Sequence, residues 1–244
     1  NKQDLISLLN AKEKRAILMV GAGSSALVSY PTWRQLVEDL SREFAPALLS
    51  DSLTGNTVLA DHIKHQAEKV GKLEEYYKFL ERTFQQKASG TNHLAFHMQL
   101  VNLGFCGLVT SNYDSVLESA VNEYSFTLGD PVMSEPIDLC ATDRPYRVFD
   151  FLRSLGTTSC NRYVLHLHGY YNNPSNLILT RQDYLTAYGE CRGVRGNLPT
   201  EDNEYKTDSL LANGRYTILD TIHRKVIWAL MTMHPLVFVG FSLT

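Results

Sequence analysis

Long apolar runs are missing from this chain of 244 residues. None reaches the roughly 18 residues that a membrane-spanning helix needs, and the amino-terminal NKQDLISLLNAKEKRA lacks the apolar centre of a signal peptide. Neither a membrane partner nor export is expected, and the chain reads as cytoplasmic. Cysteine is scarce as well. The four present, Cys106, Cys140, Cys160 and Cys191, stand far apart and never take the paired C-x-x-C spacing of a structural zinc site. They read as reduced structural thiols, and no metal is expected. A surplus of either charge is also lacking: 23 Lys and Arg face 26 Asp and Glu, for a formal net charge of -3. Such a balance gives no global attraction to nucleic acid or an anionic membrane, so direct nucleic-acid binding is not expected. What remains is an ordinary globular composition, 44% hydrophobic and 20% charged, long enough for one large core with a smaller satellite beside it.

Both ends look cut. The chain starts at Asn1 without a methionine and stops at Thr244, directly after the strand-like LVFVGFS, where an α/β domain normally runs on into a helix. The expectation is a single domain over 1–244 taken from a longer multidomain protein.

Along the chain, Leu5, Leu8 and Leu9 give residues 3–15 a helical rhythm, and AILMVGAG then reads as a buried strand entering a tight glycine turn. Leu36, Val37, Leu40 and Phe44 continue a helix, and residues 57–88 keep a charged helical period without a convincing strand. A helical insertion is therefore expected over about 41–90. NHLAFHMQLVNLG reads as a helix closed by Gly104, FCGLVTSNYD as a second strand, and Val116, Leu117 and Ala120 as the helix after it. Residues 124–160 look irregular. RYVLHLHGY supplies a third strand, NLILT a candidate fourth, and residues 183–216 a second insertion rich in polar residues and glycine, before a helix around 222–231 and a last strand at Leu236–Gly240. Strands alternating with helices argue for a Rossmann-like α/β fold with a mostly parallel sheet covered on both faces. Ligands of such sheets bind at the carboxyl ends of the strands, which singles out GAGSS, TSNYD, HLHGY and GFS.

Each of these segments has a chemical and a bland reading. The glycines of GAGSS would let backbone amides approach a phosphate at a helix start, or would only serve a tight turn; the third glycine of the ordinary dinucleotide fingerprint is missing. Asn112 offers an uncharged amide that donates and accepts hydrogen bonds, or else caps a strand end. His166 and His168 are two apart on a strand and share a face, so either could present a base that titrates near neutrality.

Taken in order, the segments resemble the sirtuin signature. Gly21, Ala22, Gly23, Ser25, Pro31, Trp33 and Arg34 fall in register with its first motif, with Ser29 where sirtuins have glycine and Thr32 where they have aspartate. Thr110, Asn112 and Asp114 match the second, with Tyr113 in the aliphatic position. His168, directly before Gly169, matches the histidine-glycine pair, and Gly240 and Ser242 match a glycine-any-serine turn. The phrases LVTSNYDSVLESA, LHLHGY, ILTRQDYLTAY and VFVGFSLT are most similar to the zinc-free sirtuin-like domains of bacterial antiphage defence proteins. The resemblance implies NAD as substrate, with Asn112 holding the ribose and the attacking water and His168 as general base. It further implies Asp114 at the nicotinamide end, and Gly21, Ala22, Gly23, Ser25, Trp33, Arg34, Thr110, Gly240 and Ser242 around the dinucleotide. The expected activity is NAD glycohydrolysis to nicotinamide and ADP-ribose in abortive infection, gated by homo-oligomerisation or by an activating partner protein. Two alternatives stay open: a sensor that binds NAD or ADP-ribose without turnover, and an NAD-dependent protein deacylase, which the missing zinc cysteines disfavour.

Other clusters read blandly. His93 and His97 have metal-ligand spacing on a helix but no adjoining glutamate, so an ordinary helix face is expected. His62 and His65 read as solvated, KLEEYYKFLERTF as an amphipathic helix against a core or partner, and Arg181 and Tyr184 as either pocket or packing residues.

Overall fold

The computed structural model describes residues 2–9, 16–50, 55–85, 95–141, 144, 146–157, 162–189 and 221–241. In chain order these form α1 (Lys2–Leu9), β1 (Ile17–Val20), α2 (Ala22–Ser25), α3 (Trp33–Phe44), α4 (Asn56–Lys69), α5 (Leu73–Phe84), α6 (Ala95–Asn102), β2 (Gly107–Thr110) and α7 (Val116–Thr127). There follow β3 (Glu135–Asp138), α8 (Arg147–Ser154), β4 (Tyr163–His166), α9 (Arg181–Tyr188), α10 (Ile222–Met233) and β5 (Leu236–Val239).

The strands make one parallel sheet in the order β3-β4-β2-β1-β5, with helices on both faces, the Rossmann-like arrangement expected. The apolar runs of β1 and β2 are continuous because both faces of those strands are covered. Alternation along β1 sends Ile17 and Met19 into a core with Val226 and Leu230 of α10 and Phe151 of α8, and Leu18 and Val20 into a second core with Leu100, Leu117 and Val121. A third core joins Leu36, Leu40, Ile63, Tyr76 and Phe84 of α3, α4 and α5 to Tyr113, Leu177 and Leu179. The helical stretch between β1 and β2 thus has its own interior, and that interior reaches the loops after β2 and β4.

Register sets the site. Val20 pairs with Thr110 and with Val239, and Thr110 pairs with His166, so all four carboxyl ends finish level on one edge of the sheet.

Three expectations need correction. Residues 124–160 hold the end of α7, the edge strand β3 and α8, where the sequence looked irregular. NLILT is no strand: Leu177, Ile178 and Leu179 are buried in extended backbone joined to the His168 carbonyl by the Ile178 N–H at 2.9 Å, and their apolarity serves the third core. Residues 183–188 of the second insertion are helical, completing α9; residues 190–216 lie outside those described.

Candidate functional site

The GAG and GF turns interlock. Gly21 N–H donates to the Val239 carbonyl at 2.8 Å and Gly23 N–H to the Gly240 carbonyl at 2.9 Å. A Cβ on Gly21 would stand 2.7 Å from the Gly240 oxygen, and one on Gly240, at φ +74°, would stand 2.6 Å from the Ser24 nitrogen. Close backbone approach therefore requires these glycines, and the amides of Gly21 and Gly23 are committed to the neighbouring turn. Ala22 opens the short α2. Ser242 lies outside the described residues.

Both departures from the resembled pattern in this segment have a local account. Thr32 caps α3, its hydroxyl accepting from Gln35 N–H while the Gln35 side chain bonds back to Thr32 N–H, a role threonine and aspartate both fill. Ser29 holds φ at +70°, the left-handed region that glycine enters without cost. Trp33 packs partly buried against the third core, and Arg34 is exposed with its Nε 2.9 Å from Glu38 Oε1.

Asn112 is tied down at nearly every polar atom. Its N–H donates to Thr110 Oγ1 at 3.0 Å, and that hydroxyl donates to the Val20 carbonyl at 2.9 Å. The side-chain Nδ2 donates to Ser25 Oγ at 2.8 Å. Ser25 in turn bonds the buried Asp114 carboxyl, which also accepts from Val116 N–H at 3.1 Å. A Ser25 hydroxyl donated to Asp114 leaves its oxygen free to accept from Asn112, which fixes which end of the amide faces outward. Asn112 Oδ1 is left buried with no partner among the described residues. Burial raises the Asp114 pKa, partly offset by the Val116 and Ser25 hydrogen bonds and by nearby His166. Tyr113 braces the same loop, its hydroxyl donating to the Ile178 carbonyl at 2.7 Å and its ring meeting Phe84 at 5.0 Å.

Parallel pairing brings the loop after β4 alongside: Leu167 N–H donates to the Thr110 carbonyl at 2.8 Å and Tyr171 N–H to the Tyr113 carbonyl at 2.9 Å. The two histidines part company here. His166 is fully buried, Nδ1 bonded to the Asn112 carbonyl at 2.9 Å and Nε2 to Glu118 Oε1 at 2.7 Å. Burial alone drives such a ring neutral; the Glu118 carboxylate outweighs it, helped by the Asn112 carbonyl and Asp114, and the pKa is raised.

His168 lies past the strand end, half-buried, with Tyr184 edge-on at 5.2 Å and Tyr188 at 5.9 Å. Burial among these rings, with His223 beside it, lowers its pKa to about 4. Tyr188 meets His223 at 5.3 Å, and His223 Nε2 lies 3.6 Å from Cys140 Sγ. Burial also lowers His223 to about 4 and raises Tyr184 to about 12. His168 is thus a neutral imidazole at physiological pH, available as a proton acceptor.

The helix that carries both tyrosines is firmly seated. Thr180 and Asp183 form a capping box at the start of α9, Lys64 Nζ lies 3.6 Å from Asp183, and Gln182 N–H donates to Asp61 at 3.3 Å, so α4 braces α9. Tyr184 accordingly faces His168, and Arg181 is exposed. His62 and His65 are exposed on α4, His97 is buried in α6, and His93 lies outside the described residues, as do Cys160 and Cys191. Among the described residues no group of three His, Cys, Asp or Glu side chains could hold a metal ion, and no helix is long and apolar enough to cross a membrane.

Glu118, Tyr188 and His223 escaped sequence reasoning. Glu118 left one signal, an acidic residue four after Asp114 at the start of an otherwise apolar helix face. Tyr188 and His223 left none, since only the tertiary fold brings them to His168.

Among known protein families, the model of the SIR2-like domain matches residues 107–244, which takes in the Asn112 loop, both histidines and the final strand. No curated protein matches. SIR2-like domains use NAD, and the family is one of NAD-dependent enzymes. With a match over more than half of its length, the chain belongs to the SIR2-like domain family.

Proposed function

We propose that this domain hydrolyses NAD to nicotinamide and ADP-ribose. The observation that carries the reading is Asn112 Oδ1, buried without a partner among the described residues although Ser25 holds the side-chain amide nitrogen and Thr110 the backbone N–H. A buried acceptor left open is costly unless a ligand supplies a donor, and a ribose hydroxyl or a water fits that need.

Water attacks the anomeric carbon of the nicotinamide-side ribose, the bond from that carbon to the pyridinium nitrogen breaks, and nicotinamide leaves neutral. His168, neutral at working pH, takes the proton that the water gives up and passes it to solvent. Asn112 orients the ribose and the water through Oδ1 and adds no charge beside an oxocarbenium-like centre. Tyr184 and Tyr188 shield the imidazole and limit what reaches it. Thr110, Ser25 and Asp114 support Asn112 from behind. Ala22, the Gly21, Gly23 and Gly240 turns, Ser242, Trp33 and Arg34 are assigned to the dinucleotide's path by resemblance.

The resemblance to antiphage defence domains extends the proposal to NAD depletion in an infected cell, switched on by self-assembly or by a partner protein. Incubation with NAD in ¹⁸O-labelled water tests the chemistry: one label on the released ADP-ribose is expected. Tight binding of NAD or ADP-ribose with no nicotinamide released would replace the reading with a sensor, and nicotinamide release that requires an added acyl-peptide and moves its acyl group onto ADP-ribose, freeing the lysine amine, would replace it with a deacylase.

A further inference from the structure

His166 is two residues from the proposed base and does none of its work, yet it is the most completely enclosed titratable group at the site. Its partners leave little freedom. A carbonyl can only accept, so the 2.9 Å contact with Asn112 puts a proton on Nδ1. The 2.7 Å contact with Glu118 is then either an imidazolium donating to a carboxylate or a carboxylic acid donating to a neutral ring. The charged groups around the ring decide between them: Glu118 from α7, Asp114 from the loop after β2 and Asp138 from β3 are all acidic, and Tyr170 lies edge-on at 4.9 Å. Three carboxyl groups, with no second cation beside the ring among the described residues, favour the imidazolium.

The consequence falls on Asn112. Thr110 holds its N–H, His166 its carbonyl and Ser25 its amide nitrogen, each at 3.0 Å or less, so the residue is clamped at three atoms and open at the fourth. We propose that the hydrogen-bonded His166–Glu118 pair is the positioning unit of this site, holding the Asn112 backbone so that Oδ1 meets the ribose in the reactive orientation. This rests on the glycohydrolase reading, since it assigns His166 and Glu118 to the reaction through Asn112 and not through contact with NAD. An orientation held within fractions of an ångström is felt in turnover more than in binding.

The test compares His166→Phe, Glu118→Ala and the conservative Glu118→Gln, with turnover normalised to folded protein. A glutamine amide can donate to Nε2 of a neutral ring and leave the Nδ1 bond to Asn112 in place. His166→Phe and Glu118→Ala should therefore lower kcat by about 10-fold or more with little change in KM, while Glu118→Gln should stay within about 3-fold of the wild type. Wild-type kcat in His166→Phe, or a Glu118→Gln variant as slow as Glu118→Ala, would overturn the proposal. Nitrogen-15 NMR of the imidazoles reads the same claim without catalysis: the His166 ring should carry both protons through neutral pH in the wild type and only the Nδ1 proton in Glu118→Gln. A ring that titrates freely at its ordinary value in both proteins refutes the clamp. If the wild type releases no nicotinamide but the NMR result holds, the glycohydrolase reading fails and the clamp survives.

Discussion

The last turn of β4 and the loop that follows it carry two histidines two residues apart in opposite electrostatic settings. His166 is sealed against a carboxylate and a carbonyl, which raise its pKa against burial; His168 sits among tyrosine rings beside another histidine, and burial there lowers its pKa to about 4. Residue type and strand alternation treat them alike. Only the partners that the fold supplies separate a fixed cation from a proton acceptor, and two groups pushed apart in this way mark a division of labour.

The largest break in this comparison comes from removing the counterion. Glu118→Ala leaves a buried imidazolium without its partner, and the denaturant midpoint should fall by the equivalent of roughly 3 to 5 kcal/mol, with Glu118→Gln milder. An unchanged midpoint would mean that His166 is neutral.

The next concerns pH. The lowered folded pKa of His168 means that the unfolded chain binds the extra proton first, so its contribution is complete above about 6.5 and fades as pH falls toward 4. His166 has the opposite sign: its contribution is complete below about 6.5 and is lost as pH rises through its raised folded value. Unfolding followed across pH should show His168→Phe flattening the acid arm, by up to about 3 kcal/mol, and His166→Phe flattening the alkaline one. Swapped effects would reverse the assignments.

A smaller effect sharpens the His168 side. Tyr184→Ala opens the ring to water, so its pKa should climb toward the ordinary value and the acid limb of nicotinamide release should move upward by about 1 pH unit. A limb that does not move would show that Tyr184 plays no part in shielding the base. The smallest serves as a control outside both settings: Ser29→Gly relieves a left-handed φ of +70° and should raise stability by about 1 kcal/mol with turnover unchanged.

Much of the frame was legible in the chain. The apolar runs at β1, β2 and β4 announce themselves because central parallel strands are buried on both faces, the edge strand β5 shows as an apolar run although Phe238 is exposed, and the polar residues at their ends fall at one edge. β3 was illegible because Glu135, Pro136 and Asp138 carry no apolar run; as an edge strand it tolerates proline and charge. Leu177, Ile178 and Leu179 misled for the converse reason, being apolar for a core that does not involve the sheet. At the site, Asn112 and His168 were singled out by the motifs that hold them. The role of His166 was not, because a strand pattern shows which face a side chain takes but not which helix, here α7 with Glu118, will lie against that face.

Nicotinamide release from NAD, measured for the wild type beside Asn112→Ala and His168→Ala, tests the central claim most directly. The account predicts release by the wild type and a loss on the order of 100-fold or more in each variant, with NAD or ADP-ribose still bound by His168→Ala. Release undiminished in His168→Ala would contradict the division between the two histidines.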